Sequence, residues 1–265
     1  MTEKPKDIYF TGGSYTMIYQ LGAGAYLAEN YDLSIFNWYS CSAGSLAAVI
    51  LFLFPPDVIV KHYIDVVNKM TEGIQKNPFD LNGYNLTDRH FDTFKIIHEL
   101  CPEAYKKVNG KINIGVTTPD GFRWYNTFTS NKELFHIMLN GFHVPVLCKY
   151  KALIDGKKCM DGGFGMEHRT HLPKNTLIVC PRTDVHAQLN GYMSDINTVI
   201  PPTLSEINLY FDKGRNDMKN YIELGKTTGP VLFALPNEFT IPVSVWQVIR
   251  LFQIEDESYD VDIFE

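Results

Sequence analysis

The chain has 265 residues, of which 45% are hydrophobic and 20% charged, with a formal net charge of −6. That is enough chain to bury one full core, and the balance is that of a soluble globular protein. Lysines are scattered among acids with no basic run, so the electrostatic footprint of a nucleic-acid binder is missing, and lipid contact would have to rest on local apolar surface.

The first seven residues are polar and lead directly into a strand, without the apolar region of a signal peptide. Asp7–Thr11 reads as a short buried strand, broken by Gly12-Gly13-Ser14. From Met17 to Asn30 small and apolar residues recur at helical spacing, with Gly22 and Gly24 placed where a neighbour can pack close. Phe36–Ser40 is the second strand. Ser42-Ala43-Gly44-Ser45 follows, then an apolar helix, Leu46–Phe54, too short to span a bilayer and closed by Pro55-Pro56. Further helices are expected over Asp57–Ile74 and Asp88–Leu100. Asn85-Leu86-Thr87 matches a glycosylation sequon, but Thr87 before Asp88 reads better as a helix start. Lys111–Thr117 and Phe122–Thr127 form a hairpin through Pro119-Asp120-Gly121. Asn131–Asn140 is a short helix, and Ala152–Met160 contains a second hairpin turning at Asp155-Gly156. Thr176–Pro181 is apolar throughout and reads as a central strand. Ser205–Leu224 is a long amphipathic helix, and Val243–Phe252 a short helix ahead of an acidic tail. The five cysteines (Cys41, Cys101, Cys148, Cys159, Cys180) are odd in number and widely spaced. That pattern fits reduced thiols in a cytoplasmic protein rather than a disulfide framework.

Three segments carry chemistry. Ser40-Cys41-Ser42-Ala43-Gly44, between a strand and an apolar helix, has the form of a nucleophile elbow, a sharp turn that pushes a hydroxyl out of the backbone. Gly44 meets its need for small residues, and the helix start favours negative charge nearby. Gly12-Gly13-Ser14 is a second strand-to-helix turn, whose backbone N–H groups can donate to a developing oxyanion. A right-handed βαβ crossover places both turns at the same sheet end. Asp161-Gly162-Gly163, after the second hairpin, offers a carboxylate with open space beside it, able to accept the proton of Ser42.

The order of these segments distinguishes lipase types. In α/β-hydrolases the elbow follows several strands and a histidine completes the triad; here Ser42 follows only the second strand. A glycine turn precedes it and Asp-Gly-Gly follows far downstream. From Asp7 to Pro181 the chain resembles the patatin-like phospholipase family, with a looser echo in Pro201-Pro202-Thr203-Leu204. Phe10-Thr11-Gly12-Gly13 and Ser42-Ala43-Gly44-Ser45-Leu46 match most closely. The resemblance implies an α/β fold of three αβα layers around a mainly parallel sheet. It implies one domain over residues 1–265, with the catalytic core at about 7–181 and a helical and extended extension at about 200–265.

It further implies a Ser42–Asp161 dyad without histidine. Gly12, Gly13, Ser14 and Ala43 would form the oxyanion hole, and no metal or organic cofactor is required. The implied activity is hydrolysis of phospholipid or lysophospholipid esters through an acyl-enzyme, with contact to a membrane or lipid-droplet surface from the cytoplasmic side. The chain departs from the family at Ser14 (third Gly), Thr16 (Arg or Lys), Met17 (Gly) and Ser40 (first elbow Gly). A neutral-glyceride or small-ester esterase is the rival within the class. From another class, a patatin-like domain that binds lipid or a protein partner without turnover is favoured by Ser14, Met17 and Ser40 and opposed by the Ser42–Asp161 pair. Oligomeric state is open.

Other readings are blander. His168 and His171 could complete a triad but read as a solvated loop pair. Together with Cys159 and Cys180 they fit no standard zinc spacing. Cys41 could be a reactive thiol but is expected to pack away from the pocket. Phe52, Phe54, Tyr63, Phe79 and Tyr84 are expected to be mostly core rather than an acyl channel. Val243–Phe252, with Trp246, is expected to dock on the domain rather than anchor in a membrane.

Overall fold

The computed structural model describes residues 5–59, 61, 63–64, 86–145, 147–165, 170–182, 184, 186–193 and 201–228. Most of the Asp57–Ile74 helix, Asn85 of the sequon, Phe79, Tyr84, His168 and the Val243–Phe252 helix lie outside them.

The sheet begins with β1 (Asp7–Phe10) and β2 (Asn37–Cys41), joined by helix α1 (Ile18–Asn30). The two strands pair in parallel, Phe10 opposite Ser40, so both chains leave the sheet at one edge, as the crossover argument predicted. β3 (Ile112–Thr118) pairs in parallel with β2, and β8 (Leu177–Cys180) with the other side of β1. β4 (Gly121–Tyr125) and β7 (Met160–Asp161) run antiparallel to β3, and β9 (Leu189–Asn190) pairs in parallel with β8. The result is a mostly parallel seven-stranded sheet in the order β4-β3-β2-β1-β8-β9, with β7 paired to β3 off this path. A separate hairpin, β5 (Leu153–Ile154) and β6 (Lys157–Lys158), turns at Asp155 and Gly156, both at positive φ (52° and 74°). This is the backbone that a tight two-residue hairpin demands.

Helices flank the sheet. α2 (Ala43–Leu53) is apolar on every side and has eight residues buried, so it sits in the core rather than on it. It starts three residues before the expected Leu46, because Ala43 and Gly44 already belong to its first turn. α3 (Thr87–Leu100), α4 (Ala104–Val108), α5 (Asn131–Phe142) and α6 (Leu204–Leu224) complete the set. Thr87 is not the cap of α3: Leu86 holds that position, and the buried Thr87 hydroxyl accepts the N–H of Lys149 instead. α4 was not foreseen; its five residues are too few for a helical period to register. α6 opens with a capping box, Thr203 and Glu206 bonding reciprocally, and ends on Gly225 at φ 66°.

Under the sheet, Trp38 is fully buried, edge-on to Phe10 (centroids 5.3 Å apart) and to the partly buried Phe52 (5.8 Å), which packs against the core. Phe54 also packs against the core. α1 and α6 meet backbone to backbone. A Cβ on Gly22 would lie 1.9 Å from the Phe211 carbonyl oxygen, and one on Gly214 would lie 2.0 Å from that of Tyr19. Gly24 makes room instead for the Leu51 side chain of α2. Tyr19 then donates its hydroxyl to Asp217 (2.9 Å) and Tyr26 to Glu223 (3.0 Å), pinning the two helices along their length.

Replacing a mid-helix glycine by alanine ordinarily stabilises by about 1 kcal/mol. At Gly214 the sign is expected to reverse, with Gly214→Ala losing about 1–3 kcal/mol through forced separation of the helices. Urea unfolding of this variant beside wild type measures it.

Candidate active site

The elbow is built by steric exclusion. Ser42 sits at φ 52°, ψ −140°, a conformation that L residues rarely adopt and that costs on the order of 1–3 kcal/mol. Two residues on, a Cβ on Gly44 would lie 2.5 Å from the carbonyl oxygens of both Phe10 and Thr11, so no side chain fits where α2 leaves β2. Ser40, in the place of the family's first elbow glycine, is tolerated. It is fully buried within β2 and donates its hydroxyl to the Asn113 carbonyl of β3 (3.2 Å). Cys41 is fully buried, its sulfur close against Gly115 and Gly162, and it packs away from the pocket as expected.

The glycine turn lies against the elbow. A Cβ on Gly12 would come within 2.9 Å of Ser42 Cβ and 3.4 Å of its Oγ. Gly12, Gly13, Ser14, Ser42, Ala43 and Asp161 all line one cavity of about 430 Å³, within the usual size range of ligand sites. Ser14 is at φ 50°, so the departure from glycine is accommodated with strain rather than avoided. After it the chain makes a single 3₁₀ turn, Ser14–Met17. Ala43 is the first residue of α2, where an N–H has no partner within its own helix. It therefore stands beside Ser42 as a second source of donors.

Three residues hold this turn without having been singled out as part of the site. Gln20, fully buried on α1, donates from Nε2 to the Thr11 carbonyl (2.8 Å) and the Val179 carbonyl (3.1 Å), tying the end of β1 to β8. Thr16 donates its hydroxyl to the Gly13 carbonyl (2.6 Å). Tyr63 donates to the Tyr15 carbonyl from the cavity wall. An amide on the buried side of an otherwise apolar helix was the available sign of Gln20; Thr16 stood out only as a departure from the family, and Tyr63, weighed as channel or core, is buried and lines the cavity.

Asp161 ends β7, opposite Val116 of β3. Its backbone is fastened on both sides: the N–H donates to the His143 carbonyl (2.9 Å), and the carbonyl accepts the Thr117 hydroxyl (2.9 Å). The carboxylate accepts the Gly163 N–H (2.7 Å), and the Ser42 side chain lies near enough to lower its pKa. Gly162 allows the approach, since a Cβ there would lie 2.3 Å from the Gly115 carbonyl oxygen. Burial raises the carboxyl to a pKa of about 6, against the lowering effects of Ser42, the Gly163 N–H and the nearby Arg182 charge. It is thus ionised at neutral pH, yet much more basic than an exposed aspartate.

The remaining cavity wall is mostly apolar, through Met17, Leu46, Phe142, Val144 and Leu147, with Arg89, His90 and Arg182 among its polar members. His90 is driven down to a pKa of about 4 by burial, then by the adjacent His143, and is neutral at physiological pH. His171 lies outside this lining and stacks on Phe122 (centroids 6.2 Å apart, planes 8° apart). Among the described residues no three His, Cys, Asp or Glu side chains gather into a metal site, and no helix is long and apolar enough to cross a membrane. No protein-family model matches the chain, and no curated protein matches it.

The raised carboxyl has a stability consequence. Asp161 binds its proton more tightly folded than unfolded, so its contribution is most favourable below the unfolded pKa near 3.8 and is lost as pH rises through about 6. Asp161→Asn removes the buried charge. The variant is expected to be more stable than wild type at pH 7–8 by roughly 1–3 kcal/mol, the gap closing as pH falls to 4. Denaturant unfolding across that range reads it directly.

Proposed function

We propose that the chain is a serine acyl hydrolase of the patatin-like type, acting on phospholipid or lysophospholipid esters. The observation that carries this reading is the single cavity that brings Ser42, strained at the elbow, together with the buried Asp161 carboxylate at one end of a mostly parallel sheet. The glycine turn beside Ser42 supports it. On this reading the helices form the outer layers of an αβα arrangement.

Asp161 takes the proton of Ser42 as its oxygen attacks the ester carbonyl, and the N–H groups of Gly13, Ser14 and Ala43 receive the oxyanion. Protonated Asp161 then delivers the proton to the leaving alcohol. In the second half it deprotonates the water that releases the fatty acid. A carboxyl with a pKa near 6 suits both duties, since it is a base at rest yet close enough to neutrality to hold a proton in transit. The apolar wall suits an acyl chain, and the guanidinium groups of Arg89 and Arg182 favour a substrate with a phosphate over a neutral glyceride. The setting is cytoplasmic, with contact at a membrane or lipid-droplet surface.

A fluorophosphonate probe is expected to label wild type at Ser42 and to leave Ser42→Ala unlabelled. Hydrolysis of lysophospholipid or diacyl phospholipid should exceed that of triglyceride at equal concentration, fall about 1000-fold or more in Ser42→Ala or Asp161→Asn, and decline below pH 6 as Asp161 protonates. Wild type that neither labels nor hydrolyses any ester would leave the non-catalytic lipid- or partner-binding domain as the correct reading. Full activity in Asp161→Asn would instead point to another base.

A further inference from the structure

The weakest point of the site is also its most informative. Ser14 holds φ 50° in a turn whose preceding residue, Gly13, has φ 163° and ψ 11°. A half-turn of the Gly13–Ser14 peptide plane would carry Gly13 to extended backbone and Ser14 to negative φ, both unstrained. Such a flip is local and needs no movement of the flanking chain. It would reverse the peptide, placing the Gly13 carbonyl where the Ser14 N–H had been. A carbonyl oxygen facing Ser42 repels an oxyanion instead of receiving it. With glycine at position 14 nothing favours the flipped form; with serine there, relief of strain does.

One side chain opposes that relief. Thr16 is fully buried, and its hydroxyl donates to the Gly13 carbonyl at 2.6 Å, beside a second bond from its own N–H at 3.0 Å. The fit is close: a Cβ on Gly13 would meet Thr16 Oγ1 at 2.3 Å. Because N–H and C=O of a trans peptide point in opposite directions, a carbonyl held toward Thr16 turns the Ser14 N–H away from it. Ser14 and Ser42 line the same cavity.

We propose that Thr16 is a positioning residue of the oxyanion turn, holding the Gly13–Ser14 peptide with its N–H toward Ser42, and that Ser14 makes this hold necessary. The inference rests on the hydrolase reading for its kinetic form. The two positions form a compensating pair: a residue that strains the turn is matched by a hydroxyl that locks it.

The test is a double-mutant cycle on ester hydrolysis. Thr16→Val keeps the shape and removes the hydroxyl. It is expected to lower kcat about 3- to 10-fold, the reach of one hydrogen bond, with KM within about twofold because the oxyanion forms only in the transition state. Thr16→Ser, which restores a donor, should lie within about twofold of wild type. Ser14→Gly in the Thr16→Val background should recover most of the lost kcat, which a purely structural role for Thr16 would not produce. Wild-type kcat in Thr16→Val, or no recovery on adding Ser14→Gly, overturns the proposal. If wild type hydrolyses no ester, the hydrolase reading falls. The orientation of the Gly13–Ser14 peptide in a crystal structure of Thr16→Val then decides the inference: carbonyl turned toward Ser42 upholds it, an unmoved peptide rejects it.

Discussion

The space behind Gly44 governs this molecule. The carbonyl oxygens of Phe10 and Thr11 occupy the volume where a side chain at position 44 would stand, so β1 and the start of α2 are pressed together at one sheet edge. That contact forces the turn at Ser42 into its strained conformation and pushes the hydroxyl clear of the backbone. It also brings the Gly12-Gly13-Ser14 turn, which continues from the same two carbonyls, alongside Ser42. Parallel pairing of β1 with β2, Phe10 opposite Ser40, makes the contact reproducible, because it sets where each chain leaves the sheet.

Asp161 reaches the same edge by another route. It arrives on β7, a two-residue strand antiparallel to β3, and is tied there by His143 and Thr117. Gly162 lets the chain after that short strand lie against the Gly115 carbonyl of β3, and neither glycine leaves room for a Cβ beside the Cys41 sulfur of β2. The carboxylate is therefore buried before it is charged, and its raised pKa follows from where the sheet puts it. The Gly163 N–H it accepts and the nearby Ser42 side chain only partly offset that cost. The basicity the proposed chemistry needs and the stability the fold gives up are two aspects of one desolvation.

Strain is distributed along the oxyanion side. Ser42 and Ser14 both hold positive φ, and each is held by neighbours rather than by local preference: Ser42 by the closure at Gly44, Ser14 by the hydrogen bonds around it. Gln20 fastens the chain just before the turn and Tyr63 just after it, and the Gly13–Ser14 peptide between them is held by the hydroxyl and the N–H of Thr16.

Much of this was legible in the chain alone. Strands and helices around residues 7–54, the hairpin at Asp155-Gly156, the apolar strand before Pro181 and the long amphipathic helix from Ser205 each depend on local periodicity or turn chemistry, which neighbouring residues carry. Gly44, Gly162 and the order of the three motifs were readable for the same reason, since a turn that admits no side chain must be written as glycine. What only the tertiary structure decided were the relations between residues distant in sequence. These include the meeting of Gly22 with Phe211, the tolerance of Ser40 through Asn113, the reassignment of Thr87 from helix cap to a partner of Lys149, and the basicity of Asp161. They also include the roles of Gln20, Thr16 and Tyr63 around one turn. A hydrogen bond or a desolvation belongs to a pair of positions in space. The chain specifies it only through the fold that brings them together.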